Sequence, residues 1–244
     1  MSQIDIETKC QEIISDGFCI FRDLLPKEII HACNHAFVPV LQEHITAADD
    51  QPNRGSARHF VSLPFTPPFN NPILYENNHL LAVVAHLLGD DMAIGTYATD
   101  TPLQGSIYQD VHSDISPLFP GEDLIPPPYV IAINFPFVDV TPENGPFEIA
   151  RGTHLIAKEE ALRQVKNGEI ELEPLFLNVG DVLVRDPRCL HRGTPNHTSI
   201  PRPVAVISIV RSWYRFVYIP FIPQKEHDKL SDRAKDLFRF IPIQ

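Results

Sequence analysis

From about residue 92 onward this chain is written in short apolar runs. AIGTYAT, YVIAINFPFVDV, PFEIA, LFLNVGDVLVRD and PVAVISIVRSWYRFVYI are separated by Gly, Pro and Asn. No other feature constrains the fold as strongly. Short runs rich in apolar and β-branched residues, bounded by turn formers, are strand signals, and their spacing fits an antiparallel sandwich or barrel. Proline points the same way. The 24 prolines fall mostly between the runs, where a missing N–H is harmless, whereas inside a helical bundle they would break the helices. One helical insert, KEEALRQVKNG, interrupts the strands.

The first 91 residues follow a different period. Ile6, Cys10, Ile13 and Ile14 mark the apolar face of an amphipathic helix, and Gly17 offers its C-terminal stop. FCIF follows as a short buried strand. Pro26 opens a second helix with the stripe Ile30, Cys33, Phe37, Val38 and Leu41, and a kink is expected at Pro39. HLLAVVAHLLGDD reads as a third helix ending near Gly89, and HDKLSDRAKDLFRF predicts one C-terminal helix over about 226–240. The expected organisation is a single domain over 1–244, mainly β with flanking helices. A helical part runs to about 91, a jelly-roll β core spans about 92–220, and the last helix follows.

Composition narrows the function classes. A chain of 244 residues, 43% hydrophobic, can bury a full core. A net charge of −11 argues against nucleic acid or an anionic membrane as partner. No apolar run approaches the ~20 residues that span a bilayer, and MSQIDIETKCQEII lacks the apolar stretch of a signal peptide. Cys10, Cys19, Cys33 and Cys189 show no metal-type spacing and read as reduced thiols of a cytoplasmic protein. The expected partner is a small-molecule substrate, with the chain a monomer or a homodimer.

The stretch YQDVHSDISPLF sets His112 and Asp114 one residue apart. With 11 histidines in the chain, about one His-x-Asp match arises by chance, so the pair gains meaning only from its surroundings. On a strand, residues i and i+2 share a face, and both side chains would point into a barrel. Further on, a buried strand at Val182–Val184 and an Asp-Pro turn lead to His191, and a long strand begins near Arg202. If these two strands pair about Asn196–His197, His191 and Arg202 are directly opposed and project into one cavity. Two histidines and one carboxylate on one face of a metal leave three positions open, the ligand set of non-haem Fe(II) oxygenases. A planar guanidinium suits the far carboxylate of a dicarboxylate co-substrate.

In this order, His112, Asp114, His191 and then Arg202 eleven residues on, the sequence resembles the phytanoyl-CoA dioxygenase family of Fe(II)/2-oxoglutarate oxygenases. ENGPFEIARGTHL, GDVLVRDPRCLHRGTPN and DGFCIFRDLLPKEI look like further segments of that family, so the resemblance covers roughly residues 10–211. It implies a double-stranded β-helix, Fe(II) held by His112, Asp114 and His191, and 2-oxoglutarate and O2 as co-substrates. It also implies hydroxylation of a small organic substrate as the default outcome.

Some positions depart from the family pattern. Many members carry a serine two residues after the distal histidine, where it assists the co-substrate carboxylate. Here that position is Gly193, and Thr194 is the candidate for the role. Gln109 matches a glutamine that some members place on the iron-side carboxylate, although strict alternation turns it away from His112. His154 reads as a residue that packs or supports the ligands rather than as a ligand, and Trp213 and Tyr214 as core or rim, with either a candidate to line the substrate pocket. Arg211 reads as the partner of an interior carboxylate or of a substrate anion. A competing chemistry is a cupin-like isomerase or hydrolase that uses metal-bound water without 2-oxoglutarate turnover. A non-catalytic jelly-roll binding module is the third reading. Arg202 opposes the second and the full ligand set opposes the third.

Overall fold

The structure is a computed structural model describing residues 5–47, 51–119, 124–215 and 221–244. The helical first part is α1 (Ile6–Asp16), α2 (Lys27–Ala47), α3 (Pro72–Tyr75) and α4 (Asn78–Leu88), with strands β1 (Phe18–Phe21) and β2 (Arg58–Ser62) between them. Then come β3 (Met92–Pro102), β4 (Val130–Pro136), β5 (Phe147–Ile149), α5 (Lys158–Lys166), β6 (Glu173–Leu175), β7 (Val182–Arg185), β8 (His191–Gly193) and β9 (Val204–Arg211). Two short helices, α6 (Gln224–His227) and α7 (Asp232–Leu237), close the chain.

Local chemistry explains the boundaries. Asp5 caps α1 by accepting from the Thr8 N–H, and Gly17 ends it at φ 91°, a conformation that glycine adopts without strain. Helix α2 runs through Pro39, which lies on its exposed side. Where one C-terminal helix is expected over 226–240, there are two. Asp228 ends α6, and Ser231 starts α7 afresh by accepting from the Ala234 N–H. Strand β9 ends at Arg211, so Trp213 and Tyr214 lie in a turn and not on the expected strand. Residues 216–220 of that expected strand fall outside the described residues.

Two antiparallel sheets form the β core. The larger has the order β1-β7-β4-β9-β3-β2 and the smaller β6-β5-β8. Together with the flanking helices this is the expected jelly-roll, double-stranded β-helix architecture. One register expectation fails. Strand β8 pairs with β5, setting His191 opposite Ile149, while β9 lies between β3 and β4 in the other sheet. His191 and Arg202 are therefore not cross-strand neighbours. The ten residues of 194–203 carry the chain from one sheet to the other instead of closing a hairpin.

Side-chain parity places the core and the hollow. Ile131, Ile133 and Phe135 of β4, Val182 and Val184 of β7, and Ala205, Ile207 and Ile209 of β9 join the apolar core beneath α1, α2, α4 and α7. Each such large side chain contributes roughly 1.5–3 kcal/mol by leaving water. The alternate residues of the same strands, among them Ala132, Asn134, Leu183, Arg185, Val206 and Ser208, line a cavity of about 900 Å³ on the sheet's other face.

Candidate active site

His112 and Asp114 sit in an extended segment between β3 and β4, outside any strand. Their alignment comes from backbone pairing with β8. The His112 N–H donates to the His191 carbonyl at 3.0 Å, the His191 N–H returns at 2.9 Å, and the Asp114 N–H donates to the Pro187 carbonyl at 3.0 Å. This isolated bridge sets the two histidines side by side, their ring centroids 4.5 Å apart. One donor atom from each of His112, Asp114 and His191 lies within 4.8 Å of the others. Asp114 Oδ1 is 3.4 Å from His191 Nε2 and 3.9 Å from His112 Nε2.

The remaining contacts suit these groups to a cation. His112 Nδ1 faces the Asp110 carbonyl at 2.7 Å and His191 Nδ1 faces the Cys189 carbonyl at 2.8 Å. A carbonyl there requires an Nδ1–H, which leaves each Nε2 lone pair aimed at the shared point. Burial, and then His191 beside it, push the His112 imidazole below its ordinary 6.5, so it is neutral. Burial alone would raise the Asp114 carboxyl, but Arg185 and His191 outweigh it and hold the group well below the carboxylate range. Two imidazole nitrogens and one ionised carboxylate are the donor set that a divalent first-row ion takes, so the residues fit such an ion.

Arg202 is the second feature of the cavity wall. It is 3% exposed, and its Nε has no hydrogen-bond partner among the described residues. Burial pulls its pKa down to about 10, with Asp100 opposing that fall and Arg58 adding to it. The group thus remains a cation at neutral pH. A buried guanidinium left incompletely paired is costly unless an anion meets it. The His112–Asp114–His191 group and Arg202 line the same cavity.

Gln109 and Thr194 are placed differently from one another. Gln109 lines the cavity, but its amide is engaged with backbone: Oε1 accepts from the Gly193 N–H at 2.9 Å and Nε2 donates to the Arg54 carbonyl at 3.1 Å. Thr194 is not part of the cavity lining, and its hydroxyl donates to the Pro146 carbonyl at 2.8 Å. The geometry therefore does not bring the Thr194 hydroxyl to the site. Beside Gly193 and Thr194 lies Arg58, which the sequence reading missed. Its guanidinium, 1% exposed, is held by Asp100 Oδ2 at 2.7 Å and by the Thr194 carbonyl at 2.9 Å. A Cβ at position 193 would come within 2.5 Å of that guanidinium. Arg58 therefore fills the space that a side chain at position 193 would need.

Arg185 was also missed. Its Nη2 donates to Asp114 Oδ2 at 2.6 Å and its Nε to Asn134 Oδ1 at 3.1 Å. One signal could have found it: a lone cation closing the otherwise apolar strand VLVR. Arg211, by contrast, leaves the interior. It donates to the Pro128 and Leu87 carbonyls, tying the end of β9 to α4. His154 packs as expected, with Nε2 3.1 Å from the Ile14 carbonyl.

Fold and site define a class: a double-stranded β-helix whose cavity holds a two-histidine, one-carboxylate group and a buried arginine. The sequence matches the phytanoyl-CoA dioxygenase (PhyH) family over residues 14–204. The chain belongs to that family, and so to the Fe(II)- and 2-oxoglutarate-dependent oxygenases. Solved structures of similar fold include EctD from S. alaskensis with bound Fe, at 20% identity and a TM-score of 0.67 over 89% of this chain and 82% of that one. The non-heme alpha ketoglutarate dependent carbocyclase SnoK from nogalamycin biosynthesis matches at 14% identity and a TM-score of 0.65, over 87% and 88% of the two chains. The epimerase SnoN from the same biosynthesis matches at 15% identity and a TM-score of 0.60, over 85% and 83%.

Proposed function

We propose that this chain is a dioxygenase that oxidises a small organic substrate, with hydroxylation as its reaction, while 2-oxoglutarate is decarboxylated to succinate. In this reading His112, Asp114 and His191 hold Fe(II), and Arg202 takes the distal carboxylate of 2-oxoglutarate in a bidentate, charge-assisted contact. Iron, once bound, supplies the activation of O2 that no side chain can provide. The chain's own part is to orient and to exclude water. The two Nδ1 contacts fix the imidazoles, Phe147 stacks on His191 with ring centroids 4.9 Å apart, and the sheets wall the cavity. Gln109 lines the wall with its amide committed to backbone, which supports a role in shaping the site rather than in binding the co-substrate.

The observation that carries the reading is the incompletely partnered Arg202 on the wall of the cavity that also holds the donor triad. A hydrolase or isomerase working through metal-bound water has no use for a dicarboxylate clamp. The four cysteines are free and buried, which fits the reducing cytoplasm we propose for the protein. Among the described residues no helix is long and apolar enough to cross a membrane. The deciding experiment is incubation of iron-loaded protein with 2-oxoglutarate, O2 and a panel of small molecules, followed by succinate. Substrate-coupled succinate release is expected, and protein that binds iron yet never consumes 2-oxoglutarate would overturn the proposal.

A further inference from the structure

The cavity is far larger than a five-carbon diacid requires, and the guanidinium of Arg185 is a second cation on its wall. We propose that Arg185 is the anchor for an anionic group of the primary substrate, which is therefore a small carboxylic acid with an apolar body. This rests on the oxygenase reading above and adds the substrate class to it.

Three observations converge. First, Arg185 is 5% exposed and its Nη1 is buried without a hydrogen-bond partner among the described residues, although Nε and Nη2 are both satisfied. An unmet buried N–H is unfavourable, and a ligand acceptor would remove that penalty. Second, the charges of the cavity leave an anion wanting. Asp100 is matched by Arg58, and the exposed Glu43 and Arg54 offset each other at the cavity's edge. A divalent ion adds two positive charges and 2-oxoglutarate removes two. Arg202, Arg185 and Asp114 then leave one positive charge uncompensated, because the carboxylate that neutralises Arg185 is shared with the ion. A monoanion restores neutrality in a site where a bare charge is expensive.

Third, the surroundings of Arg185 suit an acid of modest size. Ala132 lies directly opposite it in the sheet, with Ser208 beyond Ala132 on the far side. A methyl group and a hydroxyl leave room beside the guanidinium and offer a second polar contact. The cavity wall also carries an apolar set, Ile115, Val130, Val140, Leu175, Leu177 and Leu183. Arg202 lies six residues from Ser208 along the β9 segment, on the order of 20 Å of extended chain, so the two guanidiniums serve separate parts of the cavity.

Benzoate and benzamide are suitable probes, because they differ only in the anionic group. Mn(II) replaces Fe(II), with saturating 2-oxoglutarate, and proton relaxation of the probe by the paramagnetic ion is measured. Benzoate should be relaxed at least about fivefold more than benzamide by the wild-type complex. Arg185→Lys should keep that preference and Arg185→Met should lose it. Arg185 also touches Asp114, so Ala132→Leu provides a second route: its side chain covers the guanidinium without reaching the aspartate, and it too should abolish the preference. Mn(II) and 2-oxoglutarate binding are titrated in the same samples. Failure of wild-type protein to bind these two defeats the oxygenase reading. Their binding without a benzoate preference defeats this proposal alone. A preference that survives both Arg185→Met and Ala132→Leu, or that appears only without 2-oxoglutarate, also overturns it.

Discussion

Along β4, Ile131, Ile133 and Phe135 are at most 1% exposed, and on the opposite side Val130 and Ala132 reach only 2%. By accessibility the two faces of the large sheet look alike, but their contents differ. The helix-facing side of β4, of β7 and of β9 as far as Ile209 carries only apolar residues packed against α1, α2, α4 and α7. The other side carries Asn134, Arg185, Ser208 and, just before β9, Arg202. A filled core excludes unpaired polar groups, because each costs more than the packing it displaces. The wall of a hollow tolerates them if a ligand completes their bonding. Low exposure therefore marks two kinds of place here, and the polar exceptions tell which face works.

Variants can break this contrast. The largest effect is expected at the triad. His112→Ala or His191→Ala should weaken Fe(II) binding by more than about 100-fold, beyond the 10–100-fold typical for loss of an outer partner of a ligand. The circular dichroism spectrum should not change, since the opposite face is untouched. Full iron occupancy in both variants would remove the metal from the site.

Arg202→Ala comes next. Losing a buried charged contact costs about 2–5 kcal/mol. The apparent constant for 2-oxoglutarate should then rise ~30- to 4000-fold while iron stays bound. An unchanged constant would mean that another group on the wall holds the carboxylate.

The two faces can also be compared directly by stability. Ile207→Ala opens a void in the filled core and should cost about 2–5 kcal/mol in denaturant unfolding. Val206→Ala, one residue away, only enlarges an existing hollow and should cost less than about 1.5 kcal/mol. Equal costs would show that the cavity face is packed after all. A smaller effect belongs to Gly193→Ala, whose new methyl must displace the Arg58 guanidinium from its contacts with Asp100 and Thr194. Forced overpacking of this kind costs about 1–3 kcal/mol. A neutral result would mean that Arg58 relocates freely.

The smallest expected effect is a pH slope. Burial lowers the His154 pKa from its ordinary 6.5. The unfolded chain then binds the proton more readily than the folded one, so stability is fully present above 6.5 and declines as pH falls toward the folded value. Unfolding midpoints measured across that window should fall less steeply in His154→Gln than in the wild type. An identical slope would assign the pH dependence to other groups.

The sequence by itself determined most of the elements and which residues were candidates for the triad. Period and punctuation are local properties, so the stripe of α1, its Gly17 stop and the runs that became β3, β4, β7 and β9 could be read directly. The order His112, Asp114, His191, Arg202 was legible because the donor chemistry of a metal site permits few residue types. Tertiary structure alone decided which strands meet. His191 and Arg202 belong to segments on opposite sheets, and no local signal says that 194–203 crosses between them. Sheet partners also decide the place of Arg185. In the run VLVRD it looks like the polar end of a strand, and only the cavity beside it and Asp114, 71 residues earlier, make it part of the site. Arg58 and Gly193 are a second such pair, 135 residues apart in the chain and in contact in the fold. Contacts between distant segments follow from how the strands are paired, and that is a property of the whole packed chain, which no single stretch of residues encodes.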